Sequence, residues 1–290
     1  MDYFEPKTLS EALSLLAKYG EQAKVIAGGT DVMVDIKYKE EPGCLVNIKK
    51  IPGLDAIREN GGSLRVGPLV TIRDIETNSI VRERLPVFWE ACHQFASLQI
   101  RNTATVGGNI CRASPSGETL APLLVLEAKG KLAFADGEKS EPFTSFFQGP
   151  GKSSVGAKGL LTEIEIPYPP AGSKSIYLKH AVRGAMDIAM VGVAVLVTPD
   201  AAKNGLQDVR IGLGAVAPTP LRATKTETML RGKPLSTALV KEAAKMAASE
   251  SSPISDQRSS AENRRWIVEA LTRRGLQQSW QAATGKEVAS

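Results

Sequence analysis

Two glycine pairs, Gly28-Gly29 and Gly107-Gly108, constrain this chain more than any other feature of it. The first sits in "VIAGGTDVMV", residues 25–34, directly after a short apolar run. The second sits in "TATVGGNICRASPSGE", residues 103–118, ahead of an apolar helical stretch that starts at Thr119. Glycine lets the backbone take positive φ and lets another backbone or a ligand come close. Consecutive main-chain N–H groups in such a turn form a concave anion nest. A helix that follows adds a favourable dipole. One pair alone reads equally well as a plain tight turn. Two pairs far apart in sequence can clasp a single diphosphate from both sides. Thr30 and Asp31 add a hydroxyl and a carboxylate to the first loop. Thr105 and Asn109 flank the second, and Thr105 and Ser114 are placed to donate to phosphate oxygens. Glu118 is placed to accept from a ribose or adenine donor.

Two common nucleotide folds are excluded. Neither glycine pair runs on into GKS or GKT, so neither is a Walker loop. No GxGxxG opens a βαβ unit with an acidic residue about twenty positions on. Beside the plain turn, the two pairs together signal a dinucleotide held without a Rossmann fold.

Composition bounds the rest. The chain has 290 residues, 42% of them hydrophobic and 23% charged, which leaves room for two or three packed domains. No apolar run approaches the roughly 20 residues of a membrane helix. Asp2 and Glu5 stand where a secretory leader would be basic and then apolar. A cytoplasmic chain without a membrane span is expected. The net charge is +5, but the Lys and Arg residues are dispersed and no aromatic residues interleave them, which argues against nucleic acid. Arg264, Arg265, Arg273 and Arg274, the densest group, read as a solvated or subunit-facing helix surface. Cys44, Cys92 and Cys111 show no cluster spacing, so this chain alone holds neither an iron–sulfur cluster nor a structural zinc. Cys111, beside the second loop, reads as a small apolar residue rather than a reactive thiol.

Along the chain, "TLSEALSLLAKY", residues 8–19, reads as a helix capped at Thr8 or Ser10, with Glu11 set as in a capping box and Gly20 as its stop. "AKVIAGG" reads as a strand entering a glycine turn, and "CLVNIKKI" and "SLRVGPLVTI" as further strands. Residues 71–98 read as helical, capped at Thr71 and broken at Pro86. "KLAFAD" and "LLTEIEIPYP" are strands around a loop containing "FFQGPGKSS". Beyond Pro169-Pro170, "SIYLKHAVRGAMDIAMVGVAVLVTPD" reads as a two-stranded hairpin and "DVRIGLGAVAPTPLRA" as a third strand. From Thr224 to about Ala283 the pattern is helical, with a polar linker at "SESSPISDQRSS". The order of elements gives an α+β class and a main boundary near 170–176.

Four stretches in order carry a resemblance: "VIAGGTDVM", "QIRNTATVGGNICRASPSGETLAPLLVLEA", "LLTEIEIPYP" and "YLKHAVRGAMDIAMVGVAV". Together they resemble the FAD-binding (medium) subunit of the molybdenum hydroxylase and xanthine dehydrogenase family, similar to the carbon monoxide dehydrogenase medium subunit. The tail "VAPTPLRATKTE" followed by helices resembles the C-terminal domain of the same subunit. The resemblance runs over nearly the whole chain. It implies a PCMH-type FAD-binding domain over 1–172, made of two α+β subdomains at about 1–57 and 58–172. A C-terminal domain over 173–290 would combine a three-stranded antiparallel sheet with a helical bundle.

The resemblance also implies residue roles. The first loop, Val25, Ile26, Ala27, Gly28, Gly29, Thr30, Asp31 and Val32, would wrap the FAD pyrophosphate. The second, Thr105, Val106, Gly107, Gly108 and Asn109, would add phosphate contacts. Phe95 and Ile100 fall at positions near the flavin and its adenine-side chain, Leu161 at one touching the adenine end, and Lys179 at one near the flavin. "RGAMDIA" matches a mobile loop near the isoalloxazine that carries Asp187. The family usually has Asp where this chain has Glu118, one methylene longer. By periodicity alone Phe95 and Leu161 are core residues, Lys179 is a strand lysine, and Asp187 caps a turn. Neither His93 nor His180 lies in a glycine loop, so a non-covalent FAD is expected. The resemblance supplies the partners as well: a small subunit with [2Fe–2S] clusters and a large subunit with the molybdenum cofactor and substrate pocket, in a dimer of heterotrimers. Electrons would pass from the clusters through FAD to NAD or a quinone. The rival readings are a free-standing FAD-dependent oxidase or dehydrogenase, and an interaction module without flavin. The short C-terminal third, without histidines beyond His180, argues against the oxidase. Both intact glycine pairs argue against the flavin-less module.

Overall fold

Thr8 starts the first helix. Its hydroxyl accepts from the Glu11 N–H at 3.2 Å, and the Glu11 carboxylate reaches back to the Lys7 N–H at 2.9 Å. These reciprocal bonds satisfy donors that a helix start leaves open. The helix Leu9–Tyr19 buries Ala12, Leu13 and Leu16 in a core with Cys44, Val46, Ile48, Ile51 and Leu54, and it ends at Gly20. It carries the chain from the strand Asp2–Phe4 to the strand Ala23–Ile26. Both strands pair in parallel with the central strand Cys44–Asn47. Parallel neighbours need such crossovers. The second crossover is the short helix Val32–Tyr38, so the first glycine pair lies at the carboxyl end of a parallel strand.

In the computed structural model, which describes residues 1–39, 41–202 and 204–289, the chain forms two compact units. One comprises Met1–Ile75, Ser97–Ser114 and Glu127–Pro167. The other comprises Glu76–Ala96, Pro115–Leu126 and Tyr168–Ser290. The fold is of the α+β class.

The first unit adds to the parallel sheet a five-stranded antiparallel one. Its order is Ile57–Asn60, Ser63–Val66, Leu160–Pro167, Lys129–Phe134 and Gly137–Pro142. Alternation sets its two faces. Leu64, Val66, Leu132, Ile164 and Ile166 are buried. The opposite face carries charges that pair across strands, Arg65 with Glu163 at 3.6 Å and Lys131 with Glu138 at 2.7 Å. The strand Gly137–Pro142 and the turn of helix Phe143–Phe146 are additions to the sequence reading, because "GEKSEP" has no apolar face to reveal a strand.

The helical stretch after Thr71 is three short helices, Ile72–Thr77, Ser79–Arg84 and Pro86–His93. Thr71 does cap, accepting from the Asp74 N–H at 3.0 Å. Asn78 restarts the chain by accepting from the Val81 N–H, and Pro86 occupies a first-turn position, where its missing N–H costs nothing.

The second unit is built on an antiparallel sheet of Lys174–His180, Val191–Pro199, Leu206–Gly214 and a two-residue edge, Leu221–Arg222. All nine residues of Val191–Pro199 are buried. Val191, Val193, Val195 and Val197 enter a core with Val240, Ala243, Val268, Leu276 and Trp280 from the helices Thr237–Glu250 and Ala261–Thr284. The other face meets the helix Leu120–Val125, where a Cβ at Gly212 would lie 2.6 Å from the Ala121 carbonyl oxygen. Arg210 and Arg222 donate to the carbonyls of Val125 and Leu124 at that helix's end, at 3.2 and 3.1 Å. Cations there complement the helix dipole. Among the described residues no helix is long and apolar enough to cross a membrane.

Candidate functional site

The first glycine loop grows out of the parallel sheet. Val25 pairs with Val46 and Ile26 with Asn47, after which the chain turns and the helix Val32–Tyr38 begins at Asp31. Gly29 turns with φ +75°. Gly28 is needed for a close approach, since a Cβ there would stand 2.1 Å from the Thr103 carbonyl oxygen and 3.1 Å from the Ala104 Cα. The carbonyls of this turn are used: Gly29 accepts from the Met33 N–H at 3.0 Å and Asp31 from the Asp35 N–H at 2.9 Å. Its donors are not. Among the described residues, the N–H groups of Gly28, Gly29, Thr30, Asp31 and Val32 meet no acceptor. Unpaired N–H groups in series constitute an anion nest.

The second glycine loop is wired differently. Thr105 caps the helix Val106–Arg112 by accepting from the Gly108 N–H at 3.0 Å. The Val106 N–H donates to the Val70 carbonyl at 2.9 Å, the Gly107 N–H to Pro68 at 3.0 Å and the Asn109 N–H to Thr105 at 3.0 Å. All four donors of this turn are therefore spent inside the unit. Gly107 lies flat on Pro68, where a Cβ would be 2.4 Å from the Pro68 Cβ and 2.7 Å from its carbonyl oxygen. With its backbone donors spent, this loop meets a ligand only through side chains, among them the Thr105 hydroxyl. Because Gly28 rests on 103–104 and Thr105 follows at once, the structure brings the two loops together.

Arg112, at the end of the second loop's helix, ties that helix to the first loop. Its guanidinium grips both carboxylate oxygens of Asp35, with Nη2 to Oδ1 at 3.3 Å, and its Nε lies 3.4 Å from Asp31 Oδ1. The hydrogen bond from Arg112, followed by one from Lys39, holds the Asp35 carboxyl below its ordinary value. Neither Arg112 nor Asp35 was singled out in the sequence. The available signal was the spacing of Asp31 and Asp35, which sets two carboxylates on one side of a helix turn and calls for a cation. Cys111, half-buried beside them, has its thiol pushed up to about 12 by burial, so it carries no thiolate at neutral pH.

Three more expected positions lie in the same unit. Ile100 is 37% exposed on the one-turn helix Leu98–Arg101. Ser114 is half-buried and follows Ala113, which ends the helix Val106–Arg112 in a left-handed conformation. Leu161 is buried within the antiparallel sheet, where a Cβ at Gly130 would meet its Cδ1 at 2.9 Å.

The second unit holds the remaining four. Phe95 is buried. The side chain of Lys179 is only 8% exposed and spends its ammonium on three acceptors: Glu118 Oε1 at 2.8 Å, the Asp187 carbonyl at 2.7 Å and the Gln94 carbonyl at 3.1 Å. Burial pushes the Glu118 carboxyl up, and the charge and hydrogen bond of Lys179 oppose that push. Asp187 caps its own turn. Its carboxylate accepts from the Arg183 and Ile188 N–H groups, each at 2.9 Å, and the first of these bonds chiefly holds its pKa below the ordinary value. The segment around it exposes Val182, Met186 and Ile188.

Comparison with known proteins fits this geometry. The model for the FAD binding domain in molybdopterin dehydrogenase matches residues 1–169, and that for the CO dehydrogenase flavoprotein C-terminal domain matches 176–279. The chain is 32% identical over 287 residues to the xanthine dehydrogenase FAD-binding subunit of Escherichia coli, covering 98% of this chain and 97% of that one. It is 31% identical over 280 residues to the carbon monoxide dehydrogenase medium chain of Hydrogenophaga pseudoflava, covering 96% of each. Among solved structures, carbon monoxide dehydrogenase from Hydrogenophaga pseudoflava superposes with a TM-score of 0.94 over 98% of both chains at 31% identity. Quinoline 2-oxidoreductase from Pseudomonas putida does so with 0.91 at 27% identity. Matched end to end by two family models and by dehydrogenase subunits at this identity, the chain belongs to the FAD-binding medium subunits of the xanthine dehydrogenase and carbon monoxide dehydrogenase family of oxidoreductases.

Proposed function

We propose that this chain holds FAD non-covalently and serves as the electron-transfer subunit of a multi-subunit molybdenum-containing hydroxylase or dehydrogenase. The observation that carries the reading is the first glycine loop. Among the described residues, five consecutive N–H groups, Gly28–Val32, lack partners at the carboxyl end of a parallel strand, and Gly28 and Gly29 carry no side chain to cover them. That donor set fits a diphosphate. When bound, FAD supplies the exchange between one-electron carriers and a two-electron acceptor.

The residues divide the work. Val25, Ile26 and Ala27 deliver the loop, and the N–H groups from Gly28 to Val32 hold the diphosphate. The Thr105 hydroxyl and Asn109 approach the same phosphates, while Val106, Gly107 and Gly108 set the second loop against the first. Phe95, Ile100 and Leu161 are the apolar positions toward the ring systems. Ser114, Glu118, Lys179 and Asp187 are the polar positions toward the remainder of the cofactor. The Lys179–Glu118 pair also fixes the segment that carries Asp187. No side chain of this chain is assigned a proton transfer on a substrate.

The partners are a small subunit with [2Fe–2S] clusters and a large molybdopterin subunit, assembled as a dimer of heterotrimers. NAD or a quinone receives the electrons. The domain division is 1–172, with subdomains at about 1–57 and 58–172, and 173–290. Three unpaired cysteines accord with a reducing, cytoplasmic location. The test is to purify the chain with its native neighbours and record the visible spectrum. The expected result is flavin absorbance superposed on the broad absorbance of iron–sulfur clusters, both bleached by one substrate. Flavin reduced directly by a small substrate in the isolated chain would replace this reading with a free-standing oxidase.

A further inference from the structure

The loop that presents five unpaired donors to an anion is bordered by two carboxylates. Asp31 belongs to the turn itself and its side chain is 56% exposed. Asp35 stands one helical turn further on. A diphosphate is a dianion, and like charges within a few ångströms oppose its binding unless a cation intervenes. Asp35 has two cations, Arg112 and Lys39, the latter at 2.7 Å. Asp31 has one, the Arg112 Nε at 3.4 Å.

We propose that Arg112 is a positioning residue of the flavin site, which keeps the first glycine loop receptive to a diphosphate by cancelling the Asp31 and Asp35 carboxylates. The proposal rests on the reading that FAD lies on this loop. Arg112 is well suited to the task. It projects from the far end of the helix that the second loop begins, so it does not compete for the phosphate from the loop's own turn. Its planar fork grips Asp35 through two nitrogens while a third faces Asp31. A fork geometry of this kind spans two carboxylates in a way a point charge does not. Because among the described residues Asp31 has no second cation, its repulsion dominates once Arg112 is lost.

The experiment titrates the full-length chain with FAD, followed by flavin fluorescence, at low and high salt. Thermal melting without FAD runs alongside to report folding. Arg112→Met is expected to weaken FAD binding about tenfold at low salt, with the deficit narrowing at high salt as the carboxylates are screened. Arg112→Lys recovers part of the loss, and Asp31→Asn added to Arg112→Met recovers most of it. Asp31→Asn alone, with Arg112 intact, is expected to tighten FAD binding at low salt, and a weakened affinity there overturns the proposal, which keeps the test open if Arg112→Met folds poorly. An Arg112→Met affinity within about twofold of wild type overturns the proposal. So does a loss that Asp31→Asn does not relieve, since the effect would then be geometric rather than electrostatic. A folded wild-type chain that takes up no FAD sinks the underlying assignment of the site instead.

Discussion

The two glycine loops share a dipeptide and differ in what they do with their backbone. Among the described residues, the five N–H groups of Gly28–Val32 face no acceptor, while at Val106–Asn109 every N–H is already paired. The first loop presents donors. The second is a buttress, pinned by Pro68, Val70 and Thr105, against which the first is set through the contact of Gly28 with Thr103 and Ala104. A glycine pair next to a helix is thus no sufficient mark of an anion site. What matters is whether the surrounding chain has consumed its donors.

The sharpest way to break this contrast is Gly107→Ala. Its Cβ would fall 2.4 Å from the Pro68 Cβ and 2.7 Å from the Pro68 oxygen, so backbone must move. A stability loss of about 3 kcal/mol is expected in urea denaturation of the full chain. A loss below about 1 kcal/mol would deny the second loop its supporting role. Gly28→Ala comes next. A Cβ 2.1 Å from the Thr103 oxygen drives the loops apart, costing about 2 kcal/mol in the same assay. Here the flavin titration should be the more sensitive measure, with FAD affinity falling well over tenfold for roughly 1.4 kcal/mol or more of lost binding. If Gly107→Ala harms affinity more than Gly28→Ala at equal stability, the roles are reversed.

Smaller effects refine the comparison. Thr105→Ala removes the cap on the Gly108 N–H and is expected to cost about 1 kcal/mol, with Thr105→Ser restoring it. Asp31 makes no such side-chain cap, so Asp31→Ala should shift stability by no more than about 0.5 kcal/mol in the same melts. The least effect is in pH. Arg112 and Lys39 hold the Asp35 carboxyl below its ordinary value of 3.8. The folded state therefore gains from Asp35 above that value and loses the gain as pH falls through the lowered one. Urea midpoints should drop as pH is taken below 3.8, and Asp35→Asn should flatten that drop. The second loop contains no titratable side chain, and substitutions within it should leave the acid limb of the profile unchanged.

Much of the fold was legible because local chemistry announces itself. Thr8 and Glu11 spell the first helix's cap, Thr71 and Pro86 the cap and the break of the helical stretch that follows the early strands, and the apolar run from Val191 a strand of a hairpin. The glycine pairs flagged both loops, and the ordered resemblance named the family. The rest had no local signature. The helix Val32–Tyr38 leaves Met33, Val34 and Tyr38 more than half exposed, so its apolar residues trace no buried stripe. Arg112 and Asp35 are 77 positions apart, and although the Asp31–Asp35 spacing calls for a cation, nothing local says that Arg112 supplies it. Lys179, read as a strand lysine near the flavin, is fixed by Glu118, 61 positions away, and by two carbonyls.

The sequence by itself determined the α+β class, the two loops and the family, because turns, caps and alternation are short-range consequences of residue type. Only the tertiary structure decided which backbone donors stay free. That depends on where distant carbonyls arrive: Pro68 and Val70 accept from the second loop's N–H groups, and among the described residues no carbonyl accepts from the N–H groups of Gly28–Val32. Hydrogen-bond partners are assigned by packing, and packing joins residues that the sequence keeps apart.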